Sequence, residues 1–156
     1  MKAATVHELK QELKDRSQDE LVELCLGLAK FKKENKELLT YLLYESIDEI
    51  SFISGVKEEM EEDFKRINDR NFYYIKKSVR KILRNVKKYI RYSKRKQTEV
   101  ELLLHFCFLL SEMQPSFRRN LALANLYDRQ VNTIKKCISQ LHEDLQYDFN
   151  LELDSL

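Results

Sequence analysis

Apolar residues recur every three or four positions through most of this chain, with polar residues filling the intervals. That spacing is the period of an amphipathic helix. Three sequences with a hydroxyl three residues before a glutamate mark helix starts: Thr5 with Glu8, Ser17 with Glu20, and Thr98 with Glu101. In such a capping box the hydroxyl accepts an orphan backbone N–H, and the carboxylate reaches back to another. Asn35 and Asn71 read as further N-caps.

The pattern predicts six helices. The first covers residues 6–15, with Val6, Leu9 and Leu13 on one face, and the second 18–33, with Leu21, Leu24, Leu28 and Phe31. The third is long, 36–67, and carries Leu39, Leu42, Leu43, Ile47, Ile50, Ile53, Met60, Phe64 and Ile67. The fourth, 72–93, presents Ile75, Val79, Ile82, Val86 and Ile90, a seam alternating by four and three that suits antiparallel packing. The fifth, 99–113, is apolar nearly all round and reads as the most buried element, ended by Pro115. The sixth runs over 120–147 with Leu123, Tyr127, Ile134, Ile138, Leu141 and Leu145 inward, and residues 152–156 are expected to fray. The expected architecture is all-α: a single domain over residues 1–156, one compact bundle in which the third and fourth helices form a long antiparallel hairpin.

Composition sharpens this picture mainly by exclusion. Glycine occurs twice, at Gly27 and Gly55, and proline once in 156 residues, too few turn formers for a sandwich, barrel or meander. Two glycines so far apart build no P-loop, dinucleotide fingerprint or nucleophile elbow. Cys25, Cys107 and Cys137 are odd in number, widely spaced and without a CxxC pair. They read as buried reduced thiols in a cytoplasmic protein rather than a disulfide framework. No apolar signal core opens the chain, and the most apolar run, 102–110, is broken by His105 and is less than half of a membrane span. No membrane partner is expected.

The net charge is +2, yet the charges are segregated along the chain. Residues 45–63 hold eight acids (Glu45, Asp48, Glu49, Glu58, Glu59, Glu61, Glu62, Asp63) and one base, Lys57. Residues 76–96 hold eleven bases and no acid: Lys76, Lys77, Arg80, Lys81, Arg84, Lys87, Lys88, Arg91, Lys94, Arg95 and Lys96. Cations spaced along one helix can track phosphates, and the interleaved Tyr73, Tyr74, Tyr89 and Tyr92 could stack on bases. A hairpin turning near Asp69 would instead set residue i opposite residue 139 − i, so that the two runs mirror and pair with each other. The intramolecular pairing is the favoured expectation, with the tyrosines as seam residues.

Chemistry-bearing residues are sparse. Glu101 and His105 stand at i and i+4, a spacing that can ligate a metal, but neither HExxH nor ExxH occurs. His142 with Glu143 and Asp144 concentrates titratable groups on neighbouring positions that point in different directions. Cys107 and Cys137 could approach His105, with nothing local to activate either thiol. No catalytic residue, metal site or cofactor is therefore expected. Residues 5–28 are similar in outline to a SAP-type helix–turn–helix module without its connecting glycine, and 123–138 carries a weak helix-turn-helix pattern with Asp128 where the turn wants glycine.

YIRYSKRKQTEVELLLHFC (89–107), NLYDRQV (125–131), LHEDLQYDF (141–149) and the opening VHELKQELKDRSQDELVELCLGLAKFKKENKELLTYLL (6–43) together resemble an uncharacterised bacterial family of all-helical proteins. The resemblance spans the chain and implies a single helical domain, with no activity or site residue to carry over. The expected function is that of a non-enzymatic cytoplasmic protein whose partner is another protein or a second copy of itself. Nucleic-acid binding through the basic helix 76–96 is the alternative, and an enzyme or metal protein using Glu101, His105 and His142 the third.

Overall fold

Two helix starts are fixed as the sequence foresees. Thr5 Oγ1 accepts the Glu8 N–H at 3.3 Å while the Glu8 carboxylate accepts the Thr5 N–H at 2.7 Å, and Ser17 with Glu20 repeats the exchange at 3.3 and 2.8 Å. The computed structural model describes all 156 residues. They form eight α-helices: α1 (Val6–Lys14), α2 (Gln18–Phe31), α3 (Lys33–Leu43), α4 (Glu49–Lys65), α5 (Phe72–Ser93), α6 (Lys96–Glu112), α7 (Leu121–Ile138) and α8 (Glu143–Asp154). Single 3-10 turns lie at Glu45–Ile47 and Phe117–Arg119. The chain is all-helical, with eight helices where the pattern predicted six.

Both extra helices arise where a polar side chain restarts the backbone ladder. The predicted third helix breaks because Asp48 accepts from the Ser51 N–H at 3.1 Å and the Ser51 hydroxyl at 2.7 Å, capping a new helix. The predicted sixth helix stops where Ser139 Oγ bonds the Lys136 carbonyl at 2.8 Å; His142 Nδ1 then accepts the Asp144 N–H at 3.3 Å and opens α8. Asn35 is not an N-cap: its amide donates to the Leu28 carbonyl at 2.8 Å and closes the end of α2. Asn71 does cap α5, accepting from Tyr73 and Tyr74 at 2.9 and 3.2 Å. The third expected capping box does not form. Lys94, left-handed at φ 58°, ends α5 so sharply that α6 begins at Lys96, and Thr98 lies buried within its first turn.

Contacts divide the chain into two compact units, Met1–Tyr44 and Glu45–Leu156. In the first, α2 packs on α3, and Tyr41 is its one buried residue. The second is organised around α6, against which α4, α5, α7 and α8 all pack. Val100, Leu102, Leu103, Leu104, Phe106, Cys107 and Leu110 are buried there, as an all-round apolar helix requires. The α5 seam residues Ile75, Val79, Ile82 and Val86 are buried too. The α4–α5 hairpin exists, but it is shorter than predicted and its register differs. Tyr89 meets Phe52 and Glu59, and Ser93 meets Glu49, where the 139 − i rule gives residues 50 and 46. Phe52, Ile53, Val56 and Met60 form the apolar stripe of α4 and set that register, leaving Ile47 and Ile50 outside at 84% and 82% exposure. α8 runs to Asp154 with Leu153 buried, past the point where the sequence suggested fraying. No helix is long and apolar enough to cross a membrane.

Candidate nucleic-acid interface

Helix α5 sorts its residues into two arcs. At 100° per residue the buried Ile75, Val79, Ile82, Leu83 and Val86 fall on one side, and the exposed Lys77, Arg80, Lys81, Arg84, Lys87 and Arg91 on the other. Lys77, Arg80, Arg84, Lys87 and Arg91, at spacings of three and four, form a single exposed line, with Lys81 beside it. From Lys77 to Arg91 the line rises about 21 Å at 1.5 Å per residue. None of these six cations has an acidic partner within ion-pair distance.

The expected pairing between the acidic and basic runs is therefore not what these six cations do. Of the acids of α4, Glu62 pairs with Lys65 at 2.8 Å and Arg66 at 3.8 Å and Glu61 approaches His105 at 3.1 Å, while Glu58 and Asp63 pair with no base. Glu59 accepts the Tyr89 hydroxyl at 2.9 Å. The cause is angular. The α5 apolar arc faces α4 and α6, so its opposite arc looks away from both.

The other predicted cations have different surroundings. Lys76 is half-buried, and Lys88 lies 4.9 Å over the Tyr89 ring. Lys94 is exposed at the left-handed turn. Arg95 folds back to Glu49 at 3.7 Å and to the Ser46 carbonyl at 3.4 Å. Lys96 is held 3.1 Å from Glu99, whose hydrogen bond and charge raise its pKa above the ordinary lysine value. The tyrosines divide as well. Tyr89 and Tyr92 pack edge-to-face within the unit, while Tyr73, 66% exposed, stands one turn before Lys77 with Tyr74 against it at 5.3 Å.

The residues of the enzyme or metal reading are drawn into ordinary structural roles. Glu101 pairs with Lys57 at 3.4 Å and accepts from Gln97 at 3.1 Å. His105 Nε2 approaches Glu61 without the alignment of a hydrogen bond, and burial pushes its pKa below the usual histidine value against the opposing pull of Glu61. His142 caps α8 at the surface. No three His, Cys, Asp or Glu side chains gather as a ligand set. Burial pushes the Cys107 thiol up to about 12 and raises Cys137 as well, the reverse of an activated nucleophile. Cys25, expected to be buried with them, is exposed. A polar cleft of about 350 Å³ between α4 and α6 holds Glu49, Lys57, Arg95 and Glu101, whose charges are matched among themselves.

Of the two DNA-binding outlines, 123–138 is one uninterrupted helix, α7, and forms no helix-turn-helix. The α1–α2 pair exists, but its open side is an apolar cleft rimmed by Glu12, Asp19, Glu20 and Glu23, the wrong sign for phosphate. Sequence reasoning missed that cleft, although the i, i+4 pairs Leu9–Leu13 and Leu24–Leu28 were its signal. It also missed Glu49, which accepts from the Ser93 hydroxyl and from Thr98 Oγ1 at 2.6 Å; these partners are 44 and 49 residues away, and no local pattern announces them. No family model matches the chain, and no curated protein or solved structure matches it.

Proposed function

We propose that this protein binds nucleic acid through the outward arc of α5. The observation that carries the reading is the row Lys77, Arg80, Arg84, Lys87 and Arg91, exposed in line and without intramolecular counterions. Six cations left unpaired on one helix repel one another, and condensed phosphate is the partner that relieves the repulsion along its whole length. About 21 Å of helix covers roughly six phosphates of one duplex strand, at 3.4 Å of axis per phosphate. Contacts of this kind position the protein without reading sequence, so the binding is expected to be nonspecific. Tyr73 adds an exposed ring at one end of the row, suited to an unstacked base. We take the cytoplasm as the compartment; three free cysteines support it.

Titration of a fluorescent mixed-sequence duplex at several salt concentrations tests the proposal. Engagement of four to six phosphates predicts a log–log salt slope of about −4 to −5. Arg84→Glu with Lys87→Glu, both exposed, is expected to abolish low-salt binding while leaving the far-UV circular dichroism unchanged. Absence of wild-type binding at low salt refutes the proposal. Protein–protein association is the second reading, and it is supported by the apolar surface of the first unit, where Leu28 is 63% and Phe31 77% exposed.

A further inference from the structure

The first unit is too apolar for its own packing. Its 44 residues bury only Tyr41, yet more than half the circumference of α2 is apolar, with Asp19, Glu20, Glu23 and Lys30 confined to the remaining face. Leu28, Phe31, Leu42 and Leu43 are each more than half exposed. Between α1 and α2 opens a cleft of about 880 Å³ floored by Leu9, Leu13, Leu24 and Leu28.

We propose that this cleft is a self-association site, filled by the α1–α2 pair of a second copy of the chain. The charges around it favour a second copy over an unrelated helix. Lys10 and Lys14, at i and i+4, edge the apolar stripe of α1, and neither has an acidic partner. Asp19 and Glu23, also at i and i+4, rim the cleft on α2, and neither has a basic partner. Arg16, the one base on the rim, is already taken by Glu12 and Glu20 at 3.9 and 3.3 Å. Each copy thus offers an unpaired basic pair on α1, outside the cleft lining, and an unpaired acidic pair on the α2 rim. A two-fold axis brings unlike edges together twice, as an isologous interface requires. Four amphipathic helices then enclose the leucines as a bundle core.

Sedimentation equilibrium of the full chain gives the test. The expected result is twice the monomer mass, with dissociation on dilution through the micromolar range. Leu24→Asp, at a position already half-exposed in the monomer, should yield a monomer of unchanged helicity. Reversing one edge, Lys10→Glu with Lys14→Glu, should weaken association about tenfold or more, since like charges then meet at two symmetric places. Adding Asp19→Lys with Glu23→Lys should restore it. A wild-type chain that stays monomeric at about 100 μM overturns the proposal, whatever else covers the cleft. So does a dimer indifferent to Leu24→Asp, or a quadruple variant that fails to recover while keeping its helicity.

Discussion

At the scale of single residues, ionisation divides the molecule into two pH regimes. Glu8 is held below the usual carboxylate range by the Thr5 backbone and hydroxyl, Glu20 by those of Ser17, and Asp48 by the Ser51 hydroxyl and backbone. Each stabilises the fold above its unfolded pKa near 4 and loses that contribution as pH falls through its lowered folded value. His105 acts earlier. Burial lowers its folded pKa below the unfolded ~6.5, so below pH 6.5 the unfolded chain takes up a proton that the folded one resists. Stability should therefore fall first as pH drops from about 7 through 6 toward the folded value, and again near pH 4. Urea unfolding across this range checks it: His105→Gln should flatten the upper step and leave the lower one. An upper step that survives in His105→Gln would assign it to another group.

At the scale of the helix, legibility followed the range of the signal. The capping boxes at Thr5 and Ser17, the seam of α5 and the all-round apolarity of α6 are contained within a few turns, and the structure keeps each of them. Residues 36–67 were misread as one helix because Ile47 and Ile50 continue the apolar period while Asp48 and Ser51 carry the competing cap. Period and cap disagree there, and the cap wins because it satisfies backbone groups locally. The basic row was legible as residues, but its exposure was not. Exposure depends on the angle between the charged arc and the packed arc once α4 and α6 are both in place. The broken helix has a measurable signature. Ile47→Ala and Ile50→Ala should change the unfolding free energy by less than about 0.5 kcal/mol, whereas Ile53→Ala, buried one turn further on, should cost about 2–4 kcal/mol. A large loss at Ile50 would favour the continuous helix.

At the scale of the whole molecule, the uneven distribution of buried surface predicts uneven cooperativity. The second unit encloses nearly all of the core, with α6 packed by four helices and open to solvent along the stripe of Glu101, His105, Phe108 and Glu112, so the amides of its buried face open only with global unfolding. The first unit has one buried side chain and three helices, the longest of them α2 with 14 residues, near the limit at which isolated helices are marginal in water. Its local opening free energy is therefore small unless something covers the leucines of the cleft. If a second copy covers them, mass action ties the protection of α1 and α2 to protein concentration, while the protection of α6 is fixed by its own packing. Hydrogen exchange read by mass spectrometry on the intact chain separates the two behaviours. Peptides from residues 9–28 should exchange more slowly as concentration rises through the dimer dissociation constant, and peptides from 100–110 should not change. In Leu24→Asp the first set should exchange fast at every concentration and the second set should match wild type. Equal sensitivity of both sets would mean that association stabilises the entire fold rather than the cleft, and the assignment of the interface to α1 and α2 would fall.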